Sequence, residues 1–225
     1  MGYYTDKLSA EQLKQCYDIA PPRTKQYLEA EVEHVFQKIH QDDMVLELGC
    51  GFGRIIPRLC QKAGLVIGID TSLESLIFAQ KILQGISNYQ LFNMNAVSLG
   101  FNNYFFDCVV CVQNGISAFH VNQKDLMRES IRVTKPGGTV LFSSYSDKFW
   151  EDRLKWFQMQ SEAGLLGEID YEKTRDGIIV CKDGFKATIV RPKDFLSLTT
   201  EFNVETNIVE VDESSLFCEI TVPGH

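Results

Sequence analysis

The sequence predicts an α/β fold with a mostly parallel sheet and helices on both faces. Three observations carry that prediction. Two short apolar runs, 44–48 and 65–70, lack polar–apolar alternation, as strands covered on both faces should. The first runs into a glycine-rich turn, Gly49-Cys50-Gly51-Phe52-Gly53, that opens a helix. The second is followed by a helical pattern, and strand–helix alternation builds parallel sheets.

Each element has a local reason. Glycines at 49, 51 and 53 let the chain turn sharply and approach a ligand more closely than a Cβ would permit. The helix behind them is expected to point free N–H groups and its positive dipole end at that ligand. A dinucleotide fingerprint requires G-x-G-x-x-G, but Arg54 stands where the third glycine belongs. An acid, Glu47, precedes the first glycine by two positions. The second run ends in Asp70, where a carboxylate at a strand end can accept both ribose hydroxyls. Thr71 and Ser72 cap a helix over 73–84 that carries Leu73, Leu76 and Ile77 on one face, with Gly85 as its stop. Asn95-Ala96 leads through a short loop to an apolar strand at 106–112. Residues 132–142 read as a helix ending before Pro136, a Pro-Gly turn and a fifth strand.

In order and spacing these blocks resemble the class I S-adenosylmethionine-dependent methyltransferases over residues 40–145. The carriers are Glu47 with Gly49-x-Gly51-x-Gly53, the strand ending in Asp70, Asn95-Ala96, and Phe106-Asp107 opening a strand. One departure is Asn95, where the family usually has Asp; an amide oxygen there accepts a hydrogen bond without charge. The resemblance implies a Rossmann-like, seven-stranded, mostly parallel sheet and S-adenosylmethionine as cofactor. It assigns Glu47, Gly49 and Gly51 to the methionine portion, Cys50 and Gly53 to the cofactor-binding turn, Asp70 and Thr71 to the ribose, and Asn95 and Ala96 to the adenine. Gln113, ending the fourth strand, is expected beneath the reacting methyl.

Length and composition fit one domain. The 225 residues divide into an N-terminal helical cap (1–40), a cofactor-binding core (41–145) and an acceptor-side segment (146–225). No apolar run approaches the ~20 residues needed to span a bilayer. The N-terminus lacks a signal-peptide core and fails the myristoylation pattern, so the cytoplasm is the expected compartment. The seven scattered cysteines agree. Cys108 and Cys111 form a C-x-x-C on a strand, where residues three apart face opposite ways, so no metal site is expected. The four histidines show no ligand spacing. A net charge of −8 with dispersed basic residues argues against nucleic acid. Gln113-Asn114-Gly115-Ile116 is not the Asn/Asp-Pro-Pro-aromatic loop of enzymes that methylate planar nitrogens, and no Pro-Cys dipeptide occurs.

Specificity is expected in the flanks. Residues 9–39 read as a helix pair broken at Pro21-Pro22. In related methyltransferases such an extension folds over the cofactor, which makes Tyr3, Tyr4, Tyr17 and Arg23 candidates for closing the site, Arg23 on the methionine carboxylate. Asn114, Tyr145 and Trp150 are acceptor-pocket candidates. His120, just after the fourth strand, is the candidate catalytic base, because a histidine near neutral pKa can take an acceptor proton. Runs at 177–182 and 185–190 joined by Asp183-Gly184 predict an inserted β-hairpin that shapes the acceptor pocket. A short helix over 192–200 and strands at 202–211 and 214–222 complete the sheet with the family's antiparallel edge pair.

The reaction expected is direct methyl displacement by N, O or S of a small-molecule acceptor, in a monomer or homodimer. The alternative is a non-catalytic S-adenosylmethionine sensor of the same fold. A dehydrogenase lacks support without the third glycine, and the Gly-Gly-Gly-Asp-Gly loop of aminopropyltransferases is absent.

Overall fold

The computed structural model describes residues 10–224; Tyr3 and Tyr4 lie outside the described residues. Helices α1 (Ala10–Asp18) and α2 (Pro22–Lys38) come first. They break at the predicted place, with Pro21 extended and Pro22 starting α2, a position whose N–H would be unpaired anyway. Then follow β1 (Met44–Leu48), α3 (Ile56–Leu59), β2 (Leu65–Asp70), α4 (Leu73–Ile82), β3 (Tyr89–Asn93) and β4 (Phe106–Cys111). Next are α5 (Gly115–Ala118), α6 (Gln123–Val133), β5 (Thr134–Tyr145), a single 3-10 turn and α7 (Trp150–Glu162). The chain closes with β6 (Ile179–Val180), β7 (Lys186–Ala187), α8 (Pro192–Thr199), β8 (Glu205–Val211) and β9 (Ser215–Thr221).

Seven strands form one sheet in the order β3-β2-β1-β4-β5-β9-β8. The first five pair in parallel, and β9 runs antiparallel between β5 and β8. This is the predicted Rossmann-like architecture. One face carries Leu46, Ile67, Val109 and Val140 under α6 and α8, through Leu126, Met127 and Phe195. The other carries Val45, Val66, Val110 and Leu141 under α2 and α4, through Val32, Val35, Leu76 and Ala79. Cys108 joins the second cluster and Cys111 the first, so the C-x-x-C is split across the sheet. The strand order reverses between β1 and β4, which opens a crevice at the carboxyl ends of the strands.

Four details differ from expectation. The helix behind the glycine turn, α3, is a single turn of four residues, too short for a sizeable macrodipole. Pro136 and Gly137 lie within the first residues of β5. The register there jumps from Phe106↔Thr134 to Cys108↔Thr139, an irregularity that Gly137 permits at φ +80°. The hairpin is only two residue pairs long. Its turn is a three-residue one over 182–184, closed by Cys181 N–H donating to the Phe185 carbonyl, with Gly184 at φ +96°. Its register therefore centres on Asp183, not on the Asp183–Gly184 bond.

Candidate functional site

A cavity of about 550 Å³ lies at the carboxyl ends of β1, β2 and β4. Its floor is the glycine turn and the end of β2: Gly49, Gly51, Asp70 and Thr71 line it, and Asn95 and Ala96 flank them. Gly49 and Gly51 both stand at positive φ (+69° and +53°), where an L side chain is strained. They also lack room. A Cβ on Gly49 would stand 2.4 Å from the Phe119 ring, and one on Gly51 would stand 3.1 Å from Leu13.

Asp70 ties the floor together. One carboxylate oxygen accepts the Gly51 N–H at 2.9 Å and the other accepts the Ser72 N–H at 2.8 Å. The Cys50 N–H donates to the Ile69 carbonyl at 2.9 Å, pinning the turn to β2 a second time. Burial raises the Asp70 pKa, and its backbone hydrogen bonds oppose that shift. Asn95 sits in an Asx turn, its side-chain oxygen accepting the Val97 N–H at 3.1 Å. The loop behind it is fixed by Arg132, which donates to the Leu99 and Phe101 carbonyls and pairs with Glu129.

The roof comes from both flanks. Leu13, Cys16 and Tyr17 line the cavity from α1, and Trp156, Phe157 and Gln160 line it from α7. The Trp156 indole N–H donates to the Cys16 carbonyl at 2.8 Å, which joins the two helices. Tyr145 lines the wall at the end of β5. Gln113 closes the β4 side from left-handed backbone (φ +54°), as does Asn114 after it (φ +59°). Two successive non-glycine residues in that region hold strain of roughly 1–3 kcal/mol each, a cost that concentrates at ligand sites. The Gln113 side-chain oxygen accepts from the Tyr17 hydroxyl and from Arg54.

Several candidates lie elsewhere. Arg23 does not line the cavity; its guanidinium is held by the Asp212 carboxylate and carbonyl and stacks on Phe149. His120 is exposed at φ +53°, while its neighbours Phe119 and Val121 line the cavity. Trp150 does not line the cavity; it packs, partly buried, against the same cluster that holds Trp156, from a different face of α7. Asn114 is buried and acts as a clamp, donating to the Thr188 carbonyl at 2.8 Å and accepting from Ser144 at 2.9 Å. The hairpin lines no part of the cavity; Ile179, Cys181 and Phe185 pack behind Phe157 and back the wall it forms. Cys50 and Gly53 are buried under the turn, outside the lining.

Glu47 is buried beneath the floor, with one carboxylate oxygen lacking any hydrogen-bond partner. Burial pushes its pKa up to about 8, against the pull of Arg54. Arg54 borders the site with no motif in the sequence to mark it. It donates to Gln113 at 3.3 Å and stacks 5.0 Å over the Tyr17 ring, and its charge reaches Glu47. The only signal was its place in the spot of a missing glycine.

Residues 45–138 match the family model described as a methyltransferase domain. The likeness to a methyltransferase domain is thus confined to the segment from β1 to the start of β5. The putative methyltransferase YqeM of Bacillus subtilis is 37% identical over 111 residues, covering 45% of this chain and 42% of that protein. An arsenite methyltransferase of Aquipseudomonas alcaligenes is 31% identical over 124 residues, covering 49% of this chain and 35% of that one. The chain thus spans less than half the length of these relatives. For the methyltransferase fold at full length, a solved Methanococcus maripaludis protein described as a putative S-adenosyl-L-methionine-dependent methyltransferase superposes with TM-score 0.68 at 15% identity. That match covers 100% of this chain and 98% of the other. No helix among the described residues is long and apolar enough to cross a membrane.

Proposed function

We propose that the protein transfers a methyl group from S-adenosylmethionine to a small-molecule acceptor by direct displacement. The observation that carries this is the cavity floor, where Asp70, braced by two backbone amides, lies beside a turn of two positive-φ glycines. The residues present fit the cofactor. Its polar methionine end would meet the Gly49–Gly51 backbone above the unpartnered oxygen of Glu47. Asp70 and Thr71 would take the ribose, and Asn95 and Ala96 the adenine. A cavity of about 550 Å³ has room for it and an acceptor ring, small-ligand pockets running roughly 300–1,000 Å³.

When bound, the cofactor supplies a methyl group already activated by its sulfonium. What remains for the chain is positioning and exclusion of water, effects that reach roughly 7–11 kcal/mol. Gln113, held by Tyr17 and Arg54, fixes the β4 side of the reacting space. Leu13, Trp156 and Phe157 keep water out. An arsenic acceptor is disfavoured, since a soft metalloid takes thiolate ligands. Cys16 is the one cysteine lining the cavity among the described residues, and burial pushes its thiol up to about 12. Cytoplasmic residence suits the seven cysteines, all unpaired.

Methyl-labelled S-adenosylmethionine incubated with the protein and a metabolite extract should pass label to a small-molecule fraction. Label that stays wholly in the cofactor, despite binding of the demethylated product, would favour the sensor reading.

A further inference from the structure

Beside the cavity lies a buried polar cluster that cofactor binding does not use. On the α2-facing side of the sheet, Ser143 and Tyr145 sit two apart on β5, and Ser215 pairs with Tyr145 across β9. Against them α2 sets Tyr27 and, one turn later, Glu31, both fully buried. One Glu31 oxygen accepts the Ser215 hydroxyl at 2.7 Å. The other Glu31 oxygen, the Tyr27 hydroxyl and the Ser143 hydroxyl face one another short of full hydrogen-bond geometry: the Ser143 and Tyr27 hydroxyls bear on the Glu31 carboxylate, and Tyr27 bears on Tyr145. Imperfectly bonded polar atoms in a fully buried pocket cost up to roughly 1–3 kcal/mol each, a cost that apolar side chains in their place would avoid. Tyr27 is the link outward: its ring lies 5.3 Å from that of Tyr145, and Tyr145 lines the cavity.

The cavity also limits the acceptor. Among the described residues, no Lys, Arg or His lines it, and Asp70 is its one carboxylate. An anionic acceptor would find no cation, while Tyr145, Trp156, Phe157 and Phe119 offer aromatic surface.

Building on the methyltransferase reading, we propose that the acceptor is an uncharged aromatic hydroxyl compound docked against Tyr145, and that Tyr27 and Glu31 drain its proton. The balance is simple. The acceptor O–H gives its proton to the Tyr145 oxygen, Tyr145 gives its own to Tyr27, and Tyr27 gives its own to the Glu31 carboxylate. The acceptor oxygen then forms the bond to the methyl as the methyl–sulfur bond breaks, its electron pair going to sulfur. Tyr145 touches the acceptor; Tyr27 and Glu31 are positioning residues that act through it. Burial raises the Glu31 pKa and so strengthens it as a base. The groups that face Glu31 are Tyr27 on its own helix, Tyr17 on α1, Arg54 behind the glycine turn, Cys111 on β4, Tyr145 on β5, and the Ser143 and Ser215 hydroxyls. Arg54 is the one cation among them, and it favours the ionised carboxylate.

The test uses 4-nitrophenol, whose ionisation is visible in its absorbance, added to the full chain saturated with S-adenosylhomocysteine. Bound nitrophenol should ionise at a pH about one unit or more below its value in solution, a tenfold shift in the equilibrium. That shift should vanish in Glu31→Gln and in Tyr27→Phe, with S-adenosylhomocysteine affinity unchanged in both. Equal ionisation in the wild type and both variants would overturn the relay. No binding of nitrophenol at about 1 mM, or tighter binding of phenyl phosphate, would overturn the acceptor class. Loss of S-adenosylhomocysteine binding by the wild type would instead strike the methyltransferase reading.

Discussion

Asp70→Ala should weaken S-adenosylhomocysteine binding by about 100-fold or more. The carboxylate accepts the amides of Gly51 and Ser72, and each hydrogen bond to a charged group contributes roughly 1.5–3 kcal/mol. Their loss removes one of the two ties between the glycine turn and β2 as well as the ribose partner, so stability and affinity should fall together. Asp70→Asn keeps the shape and one acceptor oxygen and should fall between. Calorimetry on the three proteins, with urea unfolding alongside, separates the two effects. Unchanged affinity in Asp70→Ala would remove this residue from the ligand site.

Glu47→Gln should stabilise the free protein at neutral pH and erase a pH dependence. In the folded chain Glu47 keeps its proton up to about 8, whereas an unfolded glutamate releases it near its ordinary value of 4.5. Between those limits the native state holds more protons, so stability falls as pH rises, by up to about 1.4 kcal/mol per unit. Below 4.5 and above about 8 the contribution is flat. A ligand that brings a cation to Glu47 must draw off that proton. Affinity for S-adenosylhomocysteine, whose methionine end carries an ammonium, should therefore climb with pH up to about 8 in the wild type. In Glu47→Gln it should stay flat. Parallel slopes for the two proteins between pH 5 and 8 would separate Glu47 from the ligand's charge.

The fold was legible where burial and local chemistry agree. β1, β2 and β4 are apolar on both faces, and the glycines between them mark positions where backbone handedness alone dictates the residue. β3 was silent because an edge strand with exposed Gln90 and Phe92 shows no buried pattern. The cavity floor was readable because backbone amides and one carboxylate build it from contiguous segments. The walls were not. Trp156 and Trp150 sit on one helix in similar company, and only the packing of α7 against Cys16 decides which faces the cavity. Arg23 and Arg54 show the same limit: an arginine's role is set by where its long side chain finds a carboxylate, and Asp212 is 189 residues from Arg23. Tyr27 and Glu31 read as ordinary positions on a helix, because the hydroxyls that face Glu31 come from β5 and β9.

The most direct test of the cavity as a cofactor site is calorimetric titration with S-adenosylhomocysteine and, separately, with NAD. The site built on Gly49, Gly51 and Asp70 predicts one S-adenosylhomocysteine per chain at roughly micromolar affinity, about −8 kcal/mol, and no heat from NAD. Saturable NAD binding with none from S-adenosylhomocysteine would contradict it.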